Sequence, residues 1–194
     1  MNLQTPEPLL GDRFEAALVM AYRLHRSQVR KGSPVPYVAH LLSVAALVLE
    51  DGGDEDEAIA ALLHDAVEDQ GGSVTRELVR VTFGDRVCKI IDGCTESMVQ
   101  PKPPWKERKL LHLEKVATAS VSVRRVTMAD KLHNIRSLLA DYERFGEGLW
   151  ARFGGGKVGT IWYYQEMGKR LQVGESVGMM RSLSEAVGRL EGLS

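Results

Sequence analysis

The chain has 194 residues, 44% of them hydrophobic and 26% charged, with 25 Lys and Arg against 26 Asp and Glu. That length suits one ordinary folded domain, and a formal net charge of -1 removes the overall basic footprint of a nucleic-acid binder, a local basic cleft aside. The longest nearly apolar stretch, Leu41 to Leu49, falls far short of the roughly 20 residues of a membrane helix. Two cysteines, Cys88 and Cys94, make neither a disulfide framework nor a CxxC zinc site, and both read as buried thiols. The N-terminus carries acids early and no basic-then-apolar run, so the expectation is a cytoplasmic protein without a secretory leader.

Taken in order, the period of the chain is helical. Phe14, Ala17, Leu18, Ala21 and Leu24 recur at three and four, predicting an amphipathic helix over about 13–28. Gly32, Pro34 and Pro36 force a turn, and Tyr37 to Leu49 is apolar almost all round, a helix buried on several sides with His40 near its start. Asp54 and Glu57 form a capping box for a third helix running to about Asp69. Thr75 to Phe83 and Arg86 to Ile91 read as shorter helices, Glu96 to Trp105 as a Pro-rich loop, and Lys106 to Thr118 and Val123 to Tyr142 as helices again. The β-branched run Val121 to Val126 is continued by a helical pattern and is assigned to helix. Gly154-Gly155-Gly156 reads as a flexible joint before segments over about 158–173 and 175–190. The expected fold is a single all-α domain over 1–194, a helical bundle with core motifs at about 25–140 and C-terminal helices at about 147–191.

The third helix carries the chemistry. With His64 at zero and about 100° per residue, Asp65 falls near 100°, Glu68 near 40° and Asp69 near 140°, while Ile59, Leu62, Leu63, Ala66 and Val67 occupy the other face. One face is core; the other presents an imidazole and three carboxylates. Such a stripe is either a solvated acidic face or a cation site, because like charges within one turn repel and a divalent ion reverses that repulsion. His40 lies in the buried second helix, where an unpartnered imidazole is costly. Asp130 and Asn134, four apart on a later helix, share a face. Two imidazoles and two carboxylates fill four positions of an octahedral site and leave two for water and substrate. Glu68 and Asp69, one turn on, stand where a base for that water is needed.

His40, His64-Asp65 and Asp130 in this order resemble the H…HD…D signature of the HD metal-dependent phosphohydrolase superfamily. The segment Ala60 to Asp69 (AALLHDAVED) resembles the ALLHDxxED motif of the hydrolase domain of RelA/SpoT-like enzymes and their small stand-alone relatives. Ala129 to Asn134 (ADKLHN) resembles their ADRLHN motif, and His25 to His40 their HxxQxRKxGxPYxxHP stretch. Phe83-Gly84, Val87 and Thr95 fit the segment between. The resemblance implies that His40, His64, Asp65 and Asp130 hold one Mn²⁺ and that Glu68 and Asp69 handle the attacking water. It also implies that Arg30 and Lys31 lie by the base and phosphates of a small nucleotide, with Asn134 at the sugar or behind the ligands. The implied reaction is release of pyrophosphate from the 3′ position of guanosine tetra- or pentaphosphate, by a stand-alone hydrolase with no nucleic-acid polymer or membrane as partner.

This chain departs from the pattern in a loop one residue longer between Arg30 and His40, in Leu41 where proline is usual, and over Pro101 to Leu111. Two other readings stay open: an HD phosphohydrolase of another nucleotide or phosphate ester, favoured by the Gly32–Pro36 loop, and a helical sensor that binds metal or nucleotide without turnover. Outside the motifs, Lys102, Lys106, Arg108 and Lys109, with Trp105 among them, are either phosphate binders or, the preferred reading, a solvated helix start. Lys157, Tyr163 and Tyr164 either close the pocket or, the preferred reading for tyrosines at helical spacing, leave Tyr163 and Tyr164 in the core; His133 reads as a structural hydrogen bonder and His112 as a surface residue.

Overall fold

The computed structural model describes residues 9–98, 101–171 and 176–193. Residues 1–8, 99–100, 172–175 and 194 lie outside it, so the first residues of the N-terminal reading, part of the Pro-rich loop and the expected helix start at Glu175 are not described. In order, the helices are α1 (Asp12–His25), α2 (Val38–Glu50), α3 (Glu55–Leu63), α4 (Ala66–Asp69), α5 (Gly72–Phe83), α6 (Asp85–Cys94), α7 (Trp105–Ala117), α8 (Val121–Phe145), a 3₁₀ segment (Gly146–Arg152), α9 (Gly156–Leu171) and α10 (Val177–Glu191). Among the described residues there is no strand, only one isolated antiparallel bridge between Val29 and Pro36. The all-α expectation holds, and Val121 to Val126 opens a helix whose first turn Ser120 caps through Val123 N at 3.3 Å.

Helix α3 sits inside the bundle, with Ala58 to Leu63 fully buried against α1, α2, α6 and α8. The capping box is complete: Asp54 Oδ1 accepts from Glu57 N and Glu57 Oε2 from Asp54 N, each at 3.0 Å. Arg125 of α8 then reaches Glu57 Oε2 at 2.7 Å and Asp51 Oδ2 at 3.0 Å, so these buried charges are paired and the α2–α3 corner is tied to α8.

Two expectations need correction. The third helix does not run on to Asp69: α3 stops at Leu63, His64 and Asp65 form a turn, and α4 is a single further turn. There the His64 ring bonds through Nδ1 to the Ala61 carbonyl at 2.7 Å, a side-chain donor at the acceptor that a continuing helix would give to the Asp65 amide. Both residues keep right-handed helical backbone angles, and their side chains meet His40 of α2 and Asp130 of α8. Gly154-Gly155-Gly156 is also no free joint. Gly156 takes φ 58°, and a Cβ on Gly155 would lie 2.5 Å from the Trp105 ring, so these glycines bed an indole.

Candidate active site

Four side chains from three elements converge on one point. His40 comes from the first turn of α2, His64 and Asp65 from the turn after α3, and Asp130 from the middle of α8. His64 Nε2 lies 3.0 Å from Asp65 Oδ2 and 3.7 Å from Asp130 Oδ1; His40 Nε2 lies 3.6 and 3.3 Å from the same two oxygens. Ligand atoms of His40, His64 and Asp65 all fall within 4.8 Å of one another, as a metal site requires. Both Nε2 atoms are sealed from solvent, yet neither has a hydrogen-bond partner in acceptable geometry. The far side of each ring is engaged: His64 Nδ1 on the Ala61 carbonyl, and His40 Nδ1 on His133 Nδ1 at 2.8 Å. A ring that donates from Nδ1 turns a lone pair outward at Nε2, the tautomer a metal ligand needs. Burial and the neighbouring His40 push His133 down to about 4, so it is a neutral partner that can accept.

The residues therefore fit a divalent cation. Two buried ring nitrogens face two carboxylate oxygens without a well-formed hydrogen bond, and a cation between them meets all four. The electrostatics agree. Burial works against the charged forms, but Asp65 is held well below the ordinary carboxylate range by His64 and His40, and Asp130 by Lys131 and both histidines. His64 is driven up despite burial, by Asp65 and Asp130. Each shift says that positive charge is stabilised between these atoms.

Around them stands a second layer. Tyr37 donates to Asp65 Oδ2 at 2.5 Å and stacks on His25 at 5.2 Å. Lys131 donates to Asp130 Oδ2 at 2.6 Å, and Asn134 donates to Asp130 Oδ1 while accepting from Arg30 at 2.6 Å. Glu68 and Asp69, on α4, line the same cleft of about 190 Å³ as His64, Asp65 and Asp130. Glu68 is held by Lys102 at 2.8 Å and by the Glu96 amide at 3.0 Å; Asp69 takes Gln28 at 2.9 Å. Burial raises Asp69, with Asp65 and Glu68 adding to it and the Gln28 hydrogen bond opposing.

A wider cavity of about 550 Å³ adjoins this cleft and shares Arg30, Tyr37, Lys131 and Asn134 with it. Part of its lining is the α1–α2 connection, closed into a small hairpin by Arg30 N to Val35 O and Tyr37 N to Gln28 O, each at 2.9 Å. Gly32 turns the tip at φ 73°, and Arg30 and Lys31 face the cavity, Lys31 5.8 Å from the Phe153 ring. Arg30, Lys31 and Asn134 thus all line this cavity.

The preferred sequence reading left out another part of the cavity lining. Lys109 is no solvated residue: it lines the wide cavity, pairs with Glu96 and lies 4.5 Å from the Tyr163 ring. Arg108 also pairs with Glu96 and is largely covered, while Lys102 and Lys106 stay exposed. Trp105 lines the cavity on its glycine bed, and the three glycines at 154–156 with Gly159 were the available signal. Tyr163 and Tyr164 are buried as core residues should be, and line the cavity too. Lys157 instead pairs with Glu147 at 2.8 Å, away from it. His112, expected on the surface, is 1% exposed and bonds Tyr163 OH at 2.9 Å; α9 packs over that face of α7. Cys88 is buried as expected; Cys94 is only partly so and borders the narrow cleft.

The model of the HD domain family matches residues 17–161. The chain is 38% identical over 132 residues to guanosine-3′,5′-bis(diphosphate) 3′-pyrophosphohydrolase MESH1 of Xenopus tropicalis, covering 64% of this chain and 71% of that protein. It is 37% identical over 121 residues to the protein of the same name in Homo sapiens, covering 61% and 65%. A probable guanosine-3′,5′-bis(diphosphate) 3′-pyrophosphohydrolase of Synechocystis is 35% identical over 125 residues, which are 63% of this chain but 16% of that longer one. Among solved structures, a metazoan ortholog of SpoT described as hydrolyzing ppGpp superposes with a TM-score of 0.77 at 28% identity, covering 98% of this chain and 100% of that one. A Listeria monocytogenes protein, lmo0812, gives 0.67 at 30% identity, covering 77% and 97%.

Proposed function

Because the chain belongs to the HD-domain family, we propose that it is a metal-dependent hydrolase that removes pyrophosphate from the 3′ position of guanosine-3′,5′-bis(diphosphate). The observation that carries the reading is the pair of buried, partnerless Nε2 atoms of His40 and His64 facing Asp65 and Asp130. Those four residues hold one divalent ion, Mn²⁺ by preference, since mixed imidazole and carboxylate donors suit it. When bound, the ion supplies a Lewis acid that polarises a phosphoryl oxygen and makes water more acidic.

The chain's own residues supply the rest. Glu68 or Asp69 takes the proton of the attacking water, both lying in the narrow cleft beside the ligands. Water oxygen bonds to the 3′-phosphorus, the bond from phosphorus to the 3′ oxygen breaks, and that oxygen gains a proton. Tyr37 and Lys131 steady the ligand carboxylates. Arg30 and Lys31 bind phosphates or the base from the wide cavity, and Asn134 links Arg30 to Asp130, joining substrate binding to the centre.

The test is incubation of purified protein with Mn²⁺ and guanosine-3′,5′-bis(diphosphate), following pyrophosphate. Stoichiometric release of pyrophosphate and GDP is expected. Cleavage of other phosphorylated nucleotides in its place would favour a second reading, an HD phosphohydrolase of different substrate. The hairpin built from the lengthened 30–37 loop is the feature behind that second reading.

A further inference from the structure

The connection from α6 to α7 gives Glu68 two donors, one on each oxygen. The Glu96 amide donates to Oε2 at 3.0 Å, and Lys102 Nζ to Oε1 at 2.8 Å. Lys102 falls in the stretch Pro101 to Leu111, where the chain leaves the family pattern, so no motif gives it a role. A lysine reaching across a surface contributes little when its long stem is free to wander. The Lys102 side chain is 38% exposed, so its hold on Glu68 depends on what fixes the backbone it springs from.

Helix α7 fixes that backbone at both ends. Arg108 Nη1 donates to Glu96 Oε1, and Arg108 Nε donates to the Pro103 carbonyl at 3.0 Å, one residue beyond Lys102. Lys109 Nζ donates to the other Glu96 oxygen. Just before Glu96, Lys115 Nζ donates to the Thr95 carbonyl at 3.0 Å. That carbonyl and the Glu96 N–H belong to one planar trans peptide and point in opposite directions. A lysine of α7 thus grips one edge of the plane while Glu68 accepts from the other. An ionised carboxylate has about four lone-pair sites, so one donor on each oxygen fixes its plane and leaves sites over for a water. Arg108 is largely covered and lines neither the cleft nor the cavity, so contact with a substrate does not account for it.

We propose that Arg108 and Lys102 are positioning residues of Glu68: Arg108 staples both ends of the α6–α7 connection to α7, and the two donors so placed, the Glu96 amide and the Lys102 ammonium, hold the Glu68 carboxylate in one plane for proton transfer. The proposal deepens the proposed reaction and rests on the reading of Glu68 as the base. It gives the stretch that departs from the family pattern the task of setting the geometry of proton transfer, in place of binding phosphate.

The test is steady-state kinetics of the full chain with Mn²⁺ and guanosine-3′,5′-bis(diphosphate), with Mn²⁺ affinity measured by calorimetry and folding by thermal melts. Lys102→Met lowers kcat roughly 10-fold and Arg108→Met, which loosens both donors, up to about 100-fold, the scale on which a misplaced reacting group slows a reaction. KM and Mn²⁺ affinity stay at the parent values. Lys102→Arg, which keeps a charged donor at that reach, restores kcat. In a Glu68→Gln background the two substitutions cost nothing further, because they act only through that carboxylate. If Arg108→Met melts early, Lys102→Met, at an exposed position, decides alone. A raised KM with kcat intact would make Lys102 a phosphate binder and overturn the proposal. So would losses that persist undiminished beside Glu68→Gln, or parent kinetics in the single variants. A parent chain that releases no pyrophosphate refutes the proposed reaction, and Glu68→Gln turning over like the parent refutes Glu68 as its base. Both differ from the result that sinks this proposal alone, a crippled Glu68→Gln beside Lys102 and Arg108 variants that match the parent.

Discussion

The narrow cleft and the wide cavity share four walls and differ in almost everything else. The cleft gathers Asp65, Glu68, Asp69, Glu96 and Asp130 around buried imidazoles; the cavity sets Arg30, Lys31, Lys109 and Lys131 among Trp105, Phe153 and Tyr164. A carboxylate-rich site attracts a cation, and a basic, aromatic one attracts phosphates and a flat ring. Placed side by side, they suit the proposed function: the phosphates of a polyphosphate nucleotide would cross from the basic residues toward the cation, and the base would take the larger space. Of the residues common to both, Lys131 and the Arg30–Asn134 pair touch Asp130 directly or through one hydrogen bond, and Tyr37 touches Asp65. Binding and catalysis are thus separate in space yet share a hinge of hydrogen bonds.

The sharpest break in that comparison comes from the cleft. His64→Ala removes one of two imidazole ligands and leaves Asp65 and Asp130 facing each other across the gap. Uptake of Mn²⁺ and release of pyrophosphate should vanish together, with helicity by circular dichroism retained; activity that survives would show that the cleft is not the metal centre. The next largest effect is Glu68→Gln, which keeps the shape and the Glu96 amide contact but cannot take a proton. Turnover should fall roughly 10²–10⁴-fold, with Mn²⁺ affinity and KM unchanged. If turnover is unaffected, Asp69 is the base, and its raised pKa, set first by burial, is the physical reason.

The cavity should respond differently. Arg30→Ala deletes a charged hydrogen-bonding group of a kind worth about 1.5–3 kcal/mol, so KM rises roughly 10- to 100-fold while turnover holds. A fall in turnover at constant KM would mean that Arg30 serves the centre through Asn134 and that the two spaces do not divide the labour.

The two regions also differ in how far the sequence exposes them. The cleft was legible because its parts are local: an acidic stripe on an otherwise apolar helix, one histidine in a buried helix, and an Asp–Asn pair one turn apart. Even so, the break after Leu63 was not, since it depends on a side-chain bond from His64 to Ala61 that no periodicity encodes. The capping box at Asp54 was legible for the same local reason. The part of the cavity lining that α7 contributes was not. Which face of α7 is buried depends on how α9 docks, and that depends on Trp105 settling on Gly155 and Gly159 some fifty residues away. A helix written WKERKLLHLEKVA looks solvated until another helix covers His112 and Lys109.

The smallest expected effect tests whether the face of α7 under α9 is as dry as its burial says. His112 stays neutral in the folded chain down to about pH 2, whereas in the unfolded chain it takes up a proton near its ordinary value of 6.5. The unfolded state therefore binds the extra proton as pH falls below about 6.5, so the stability associated with this ring is full above that value and is lost on acidification. One proton corresponds to about 1.4 kcal/mol per pH unit. His112→Phe has no such proton to bind. Denaturant titrations of the metal-stripped proteins between pH 6 and 4 should thus show the parent losing stability faster than the variant, by up to about 1.4 kcal/mol for each pH unit. Equal slopes would mean that water reaches the ring and that α9 does not seal this face of α7.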